Sequence, residues 1–86
     1  MSEELINNIA NVLSEWNPLG EKAESTPELE GYLYEAMDIC SVVGILKEPV
    51  EQAVSGVLTQ AFRIELNAQE LKLYAAKIEQ LINENK

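Results

Sequence analysis

The chain has 86 residues, 47% of them hydrophobic and 24% charged, which suits one domain and argues against wholesale disorder. Fifteen acidic side chains against six basic ones give a net charge of −9. Binding to phosphate backbones or to anionic membrane surfaces needs clustered Lys and Arg, so this balance argues against nucleic acid and membranes as partners. We therefore predict a single domain over residues 1–86, whose charge would attract a basic protein surface.

The sequence carries no pattern that would direct the chain out of the cytoplasm. It begins Met1-Ser2-Glu3-Glu4, without the basic and apolar regions of a signal peptide. Its longest nearly apolar stretch, 39–46, is far shorter than the roughly 20 residues that cross a bilayer. Cys40 is the single cysteine, so no disulfide can form within the chain. A cytoplasmic location is the expectation.

Hydrophobic side chains recur with helical spacing over residues 3–16, which predicts the first helix. Its core face is expected to consist of Leu5, Ile9, Val12, Leu13 and Trp16. Pro18 excludes Asn17 from helical geometry, and the order Asn-Pro-Leu-Gly is typical of a type I turn. We expect Trp16 to seal one end of the helical assembly, in preference to forming a platform for a ligand.

The second predicted helix begins after Thr26, which suits the N-cap position, with Pro27 in the first turn. One stripe is expected to face the core: Leu29, Tyr32, Leu33, Ala36, Met37, Cys40 and Val43. Gly31 lowers the helical propensity of this stretch, so the prediction depends on the periodicity. Beyond Asp38 the helix is apolar nearly all round, which indicates burial on two sides or a surface for a partner.

Two further helices complete the pattern. Pro49 opens the third, whose apolar stripe runs from Val50 to Ile64, and residues 67–70 form a capping box that opens the fourth. No stretch alternates with the two-residue period of a strand for long. Four helices with short connections predict an all-α fold, a compact antiparallel bundle of four helices.

The residue types that most catalytic sites need are missing from the sequence. It has no histidine and one cysteine, which removes Ser-His-Asp triads, Cys-His pairs and the histidine-containing zinc sites. Glu35 and Asp38 share a helical face and could bind a hard cation, but two carboxylates are too few for a calcium shell. A solvated acidic face is the favoured interpretation. We predict no enzymatic activity, no cofactor and no metal site.

A second stripe on the second helix has the composition of a protein-binding surface. It consists of Tyr34, Glu35, Asp38, Ser41, Val42 and Ile45. A tyrosine and aliphatic side chains beside acids are typical of interfaces whose partner has a basic rim. Two interpretations stay open: a partner binds this stripe, or another helix or loop covers it. We expect a monomer or a weak homodimer, because a two-fold dimer would bring these carboxylates near their symmetry mates.

Three short motifs stand out against the helical pattern. They are Trp16-Asn17-Pro18-Leu19 after the first helix, Tyr34-Glu35 leading to Asp38-Ile39, and Ala61-Phe62 in the third helix. Over roughly residues 9–82 the chain resembles a family of small bacterial proteins, mainly Gram-positive, described as a domain of unknown function with a Trp-Asp-Pro-(Leu/Ile) signature. Asn17 here takes the place of the family's aspartate. The resemblance implies a cytoplasmic helical bundle and no known activity.

The function that the sequence favours is a non-enzymatic protein–protein interaction module that uses the acidic face of the second helix. The alternative is an inhibitor or immunity-type protein that masks a basic partner. Bacteriocin immunity proteins of the nuclease-inhibiting class are acidic helical bundles of similar length, but their interface motif is missing here, so they offer an analogy of type only. A basic binding site on the partner would favour the alternative.

Overall fold

Four α-helices make up most of the chain in the computed structural model, which describes residues 3–20 and 30–84. The helices are α1 (Glu3–Trp16), α2 (Leu33–Ile45), α3 (Val50–Phe62) and α4 (Ala68–Glu84), and a 3-10 turn at Glu30–Tyr32 precedes α2. α1 packs against α2 and α4, and α3 packs against the same two helices. The described residues contain no strand. The predicted all-α bundle of four helices is confirmed.

Contacts between helix ends show that α1 runs antiparallel to its two neighbours. The indole of Trp16, at the end of α1, hydrogen-bonds to Glu70 in the first turn of α4. Ile6, near the start of α1, lines a groove together with Ile45 at the end of α2. Each contact pairs one end of a helix with the opposite end of its neighbour, as an antiparallel bundle requires.

The core is filled by aliphatic side chains from all four helices. Those with no exposed surface are Ile9, Leu13, Ala36, Ile39, Val54, Leu58 and Ile78. No polar or charged residue of the described part of the chain is buried. Burying a side chain such as Leu or Ile contributes about 1.5–3 kcal/mol, so apolar packing between the helices provides most of the stabilisation.

The first helix ends where Pro18 predicts. Asn17 has a φ of 51°, a left-handed conformation that asparagine adopts more readily than most residues. Its carbonyl accepts a hydrogen bond from the Gly20 N–H at 2.9 Å, which closes the predicted turn. The bounds of α1 agree with the predicted 3–16.

The second helix does not run unbroken from its predicted start. Gly31 and Tyr32 both have a φ of 65°, and two left-handed residues in succession interrupt any helix that would run from Pro27 into α2. Regular α-helix begins only at Leu33. The remaining residues of the predicted start, Thr26, Pro27, Glu28 and Leu29, lie outside the described residues.

The side chain of Tyr32 explains this interruption. It is 2% exposed, and its hydroxyl donates a hydrogen bond to Asn17 Oδ1 at 2.8 Å and accepts one from the Leu19 N–H at 3.3 Å. Its ring meets Phe62 edge-on, with centroids 6.1 Å apart. A left-handed φ costs a bulky residue about 1–3 kcal/mol, and these contacts offset that strain.

α2 is also rotated relative to the prediction. Met37, assigned to the core stripe, is 43% exposed, whereas Ile39, assigned outside it, has no exposed surface. The pattern could not define the core face, because α2 is apolar on nearly every side. Tyr34 points outward at 53% exposure, as predicted, and Cys40 is buried.

The capping residue predicted for the fourth helix is confirmed, and it lies beside the buried tryptophan. Asn67 Oδ1 accepts a hydrogen bond from the Glu70 N–H at 3.0 Å, and Glu70 Oε1 accepts one from Trp16 Nε1 at 3.1 Å. The indole stacks on Tyr74, with ring centroids 5.1 Å apart. Trp16 therefore seals the end of the bundle at which α1 finishes and α4 begins.

We expect Tyr32→Phe to lower the free energy of unfolding by about 1–3 kcal/mol, because it leaves the buried Leu19 N–H without its hydroxyl partner. Tyr34→Phe is a matched control on an exposed residue, with an expected change within about 0.5 kcal/mol. Urea denaturation of both variants checks this. Equal losses in the two variants would show that the Tyr32 hydroxyl has no special role.

Asn67→Ala should cost about 1 kcal/mol through the lost cap on the Glu70 N–H. Asn11→Ala, an exposed substitution within α1, should cost nothing or stabilise slightly, because alanine is the better helix former. Denaturant midpoints measure both effects. An unchanged midpoint for the Asn67 variant would contradict the capping role.

Candidate protein-binding surface

Exposed large hydrophobic side chains concentrate on one helix. In the described part of the chain they are Tyr34, Met37, Ile45, Leu46 and Leu73. Four of these five belong to α2 or to the residue directly after it, and Ile45 is the most exposed, at 77%. Single exposed hydrophobics are ordinary, whereas several of them together on one side of a helix are typical of a contact surface. We define the α2 face as Tyr34, Met37, Asp38, Ser41 and Ile45, which share one side of the helix. Leu46 lies about a third of a turn further round, on the side of α3.

The structure divides the six residues of the predicted second stripe into two groups. Tyr34, Asp38, Ser41 and Ile45 are exposed and lie on the α2 face. Glu35 and Val42 are half-buried, about a quarter of a turn away from the centre of that face. The α2 face also includes Met37, which sequence reasoning missed because every side of this helix offers apolar residues.

The α2 face forms a ridge between two grooves. The groove on the α1 side has a volume of about 410 Å³ and is lined by Ile6, Met37, Cys40, Ser41, Gly44 and Ile45. The groove on the α3 side has a volume of about 390 Å³ and is lined by Asp38, Ser41, Val42, Val57, Gln60 and Ala61. Ser41 borders both grooves, and the small residues in each lining leave room for an approaching side chain.

Charge distinguishes the two grooves. α2 carries Glu35 and Asp38 and no basic residue. Asp38 lines the groove on the α3 side, while the lining on the α1 side has no charged side chain. A partner with basic side chains would therefore be drawn to the α3 side of the ridge.

Glu35 is held in an unfavourable position for a carboxylate. Burial raises its pKa above the ordinary value of 4.5, and the nearby charge of Asp38 raises it further, while the backbone N–H of Glu35 acts in the opposite direction. Its Oε1 is buried and accepts no hydrogen bond within the part of the chain that the structure describes. The charged form of Glu35 is therefore costly to the fold.

Burial also raises the pKa values of two neutral groups near this helix. The pKa of the Tyr32 hydroxyl is raised by burial and by the charge of Glu35, and the Leu19 N–H partly opposes this. The hydroxyl therefore keeps the proton that it donates to Asn17. Burial likewise raises the pKa of the Cys40 thiol, which favours the unreactive thiol form.

The described residues form neither a metal-binding cluster nor a membrane-spanning helix. Within 3–20 and 30–84, no three or more Asp, Glu or Cys side chains come together in a way that could hold a metal ion. Among the helices that the structure describes, none is long and apolar enough to span a bilayer.

Comparisons with protein-family models, with curated proteins and with solved structures found no match. The resemblance to the family with the Trp-Asp-Pro-(Leu/Ile) signature therefore stays a prediction. What the protein does has to be argued from its own surface.

Glu35→Gln tests the cost of the half-buried carboxylate. The raised pKa means that the folded protein holds this proton more tightly than the unfolded chain, so stability falls as pH rises from 4.5 through the raised value. We expect the variant to have a higher urea midpoint than the wild type at about pH 7, and the gain to shrink below pH 4.5. Glu79→Gln, exposed on α4, should show no such gain. Equal midpoints for wild type and Glu35→Gln at neutral pH would contradict the effect.

Proposed function

We propose that the chain is a non-enzymatic protein-interaction module that binds a partner protein through the α2 face. The observation that carries this proposal is the placement of four of the five exposed large hydrophobic side chains, among the described residues, on α2 or directly after it. A helix that contributes Ile39 and Ala36 to the core and still offers such a line outward has more apolar surface than its own bundle covers.

The dimensions and composition of the α2 face support a macromolecular partner. From Tyr34 to Ile45 the helix rises about 16 Å, a length that suits a segment of protein better than a small molecule. Tyrosine and methionine are enriched at the centres of protein interfaces, where charged side chains are depleted and placed toward the rim. Asp38 is the only charged residue of the α2 face.

The proposal assigns no catalytic step and no cofactor to the chain. General acid–base catalysis uses histidine most often, and the sequence contains none. A cytoplasmic location belongs to the same proposal: a chain with one buried cysteine depends on no disulfide and so needs no oxidising compartment.

A second candidate function is an inhibitor or immunity-type protein that masks a basic site. The net charge of −9 favours it, as does the placement of nine of the fifteen acidic residues within 1–40. Such an uneven charge would speed association with a basic surface. Loss of the partner's own activity on binding would distinguish this candidate from a module that only tethers.

Affinity capture with two single variants tests the α2 face. One replaces an exposed residue on α2 and the other an exposed residue on α4. Ile45→Asp should abolish or strongly weaken capture of the partner from a lysate of the source cell, with the captured proteins identified by mass spectrometry. Leu73→Asp, on α4, is the matched control, because Leu73 is 55% exposed and lies on the helix that does not neighbour α2 in the bundle. It should capture the same protein as the wild type.

Both variants should retain the helical circular dichroism of the wild type, because each replaces a side chain that is more than half exposed. Val42→Asp is less suitable, since Val42 is half-buried and its loss would mix folding with binding. Capture that is unaffected by Ile45→Asp but lost in Leu73→Asp would move the binding surface to α4 and defeat the proposal.

A further inference from the structure

The groove on the α3 side of the ridge continues into a second recess of about 230 Å³. This second recess is lined by Val42, Leu46, Glu48, Ala53, Gly56, Val57 and Gln60. The two recesses share Val42, Val57 and Gln60, so they form one continuous channel between α2 and α3. We call this channel the α2/α3 groove.

Carboxylates stand at the two ends of the α2/α3 groove. Asp38 lines the first recess and Glu48 the second, both are exposed, and neither recess is lined by Lys or Arg. Leu46 directly follows α2, and the helix rises about 12 Å between Asp38 and Leu46. Glu48 follows Leu46 by two residues. The groove therefore has an uncharged middle, formed by Val42, Val57 and Gln60, and a negative charge at each end.

The walls and floor of this groove suit a helix laid along it. Val42 of α2 and Val57 of α3 are half-buried and both line the groove. Gly56 has open space where a side chain would stand, so a backbone can approach α3 closely at that point. Grooves between two helices accept a third helix through the ridges of its side chains, which is a common mode of peptide recognition.

We propose that the α2/α3 groove binds a basic amphipathic helix of a partner protein. The apolar side of that helix packs on Val42 and Val57, and its Lys or Arg side chains, two to three turns apart, reach Asp38 and Glu48. This inference rests on the proposed function and names the chemistry of the partner.

A second copy of the chain fits this groove poorly. Among the described helices, α4 carries two exposed basic side chains beside an exposed hydrophobic, Lys72 and Lys77 beside Leu73. They are five residues apart, about 7.5 Å along a helix, which is too close to reach both carboxylates. Lys77 is also engaged within its own chain, 3.7 Å from Glu15 and 4.9 Å from the ring centre of Tyr74.

A designed peptide provides the probe. It is a helical peptide of about 18 residues with one leucine stripe and with lysines about ten positions apart at the edges of that stripe. Its control carries glutamate in place of each lysine. In the ¹⁵N-labelled protein, the lysine peptide should produce saturable chemical-shift changes at Val42, Val57 and Ala61, and the glutamate peptide should produce none.

Substitutions of the two carboxylates test the charge contacts. Asp38→Asn and Glu48→Gln should each weaken binding of the lysine peptide by roughly two- to five-fold, the range for exposed ion pairs. Glu79→Gln removes an exposed carboxylate from α4 and should leave the affinity unchanged. Raising the salt concentration should weaken binding to the wild type more than to the variant with both substitutions.

Three results would overturn the inference. One is the lack of saturable binding by the lysine peptide. Another is binding that perturbs Ile6 and Gly44 and ignores both carboxylate substitutions, which would place the ligand in the groove on the α1 side. The third is a set of shifts in the α2/α3 groove that depend on protein concentration alone, which would identify a second copy as the occupant. None of these three results tests the proposed function, which is tested separately by whether the Ile45→Asp variant still captures the partner protein.

Discussion

The buried hydroxyl of Tyr32 is the contact on which the position of α2 depends. It joins the residue before α2 to the turn after α1, by donating to Asn17 and accepting from the Leu19 N–H. The backbone of Tyr32 is left-handed at this point, so the helix that follows starts in a direction set by a tertiary contact. Because α2 is apolar on nearly every side, its own sequence does little to choose which side turns inward. The hydrogen bonds of the Tyr32 hydroxyl and the packing of Ile39 together fix which side of α2 faces the core. Tyr34, Met37 and Ile45 point outward as a result.

Much of the fold follows from local patterns that the sequence displays openly. The bounds of α1 and the cap at Asn67 each depend on residues within a few positions of one another, where spacing and chain stereochemistry decide the outcome. The periodicity of α1 likewise assigns Trp16 to its core face. The start of α2 could not be predicted in the same way. Its cause is a hydrogen bond between side chains fifteen residues apart, and nothing in the sequence near Gly31 identifies the partner. The low helical propensity of that glycine was the one local sign of a break.

The candidate surface divides along the same line. Tyr34, Asp38 and Ile45 could be assigned to a solvent-facing stripe, because they share one side of a single helix. Met37 could not, since a helix that is apolar all round gives no reference direction. The α2/α3 groove could not be predicted from the sequence at all, because Glu48 and Val57 line it only through the packing of α3 on α2. Sequence reasoning therefore finds which helix carries the surface, and the fold decides the shape and charge of what that surface offers.

The environment of Trp16 gives the molecule an internal optical reporter. Trp16 is the only tryptophan in the chain, and its ring is stacked on Tyr74 and hydrogen-bonded to Glu70, both on α4, the helix that does not neighbour α2. Its fluorescence therefore responds to separation of α1 from α4. The α2/α3 groove is lined by no residue of α1 or α4, so we expect the emission spectrum to follow the opening of the bundle and not the occupancy of that groove.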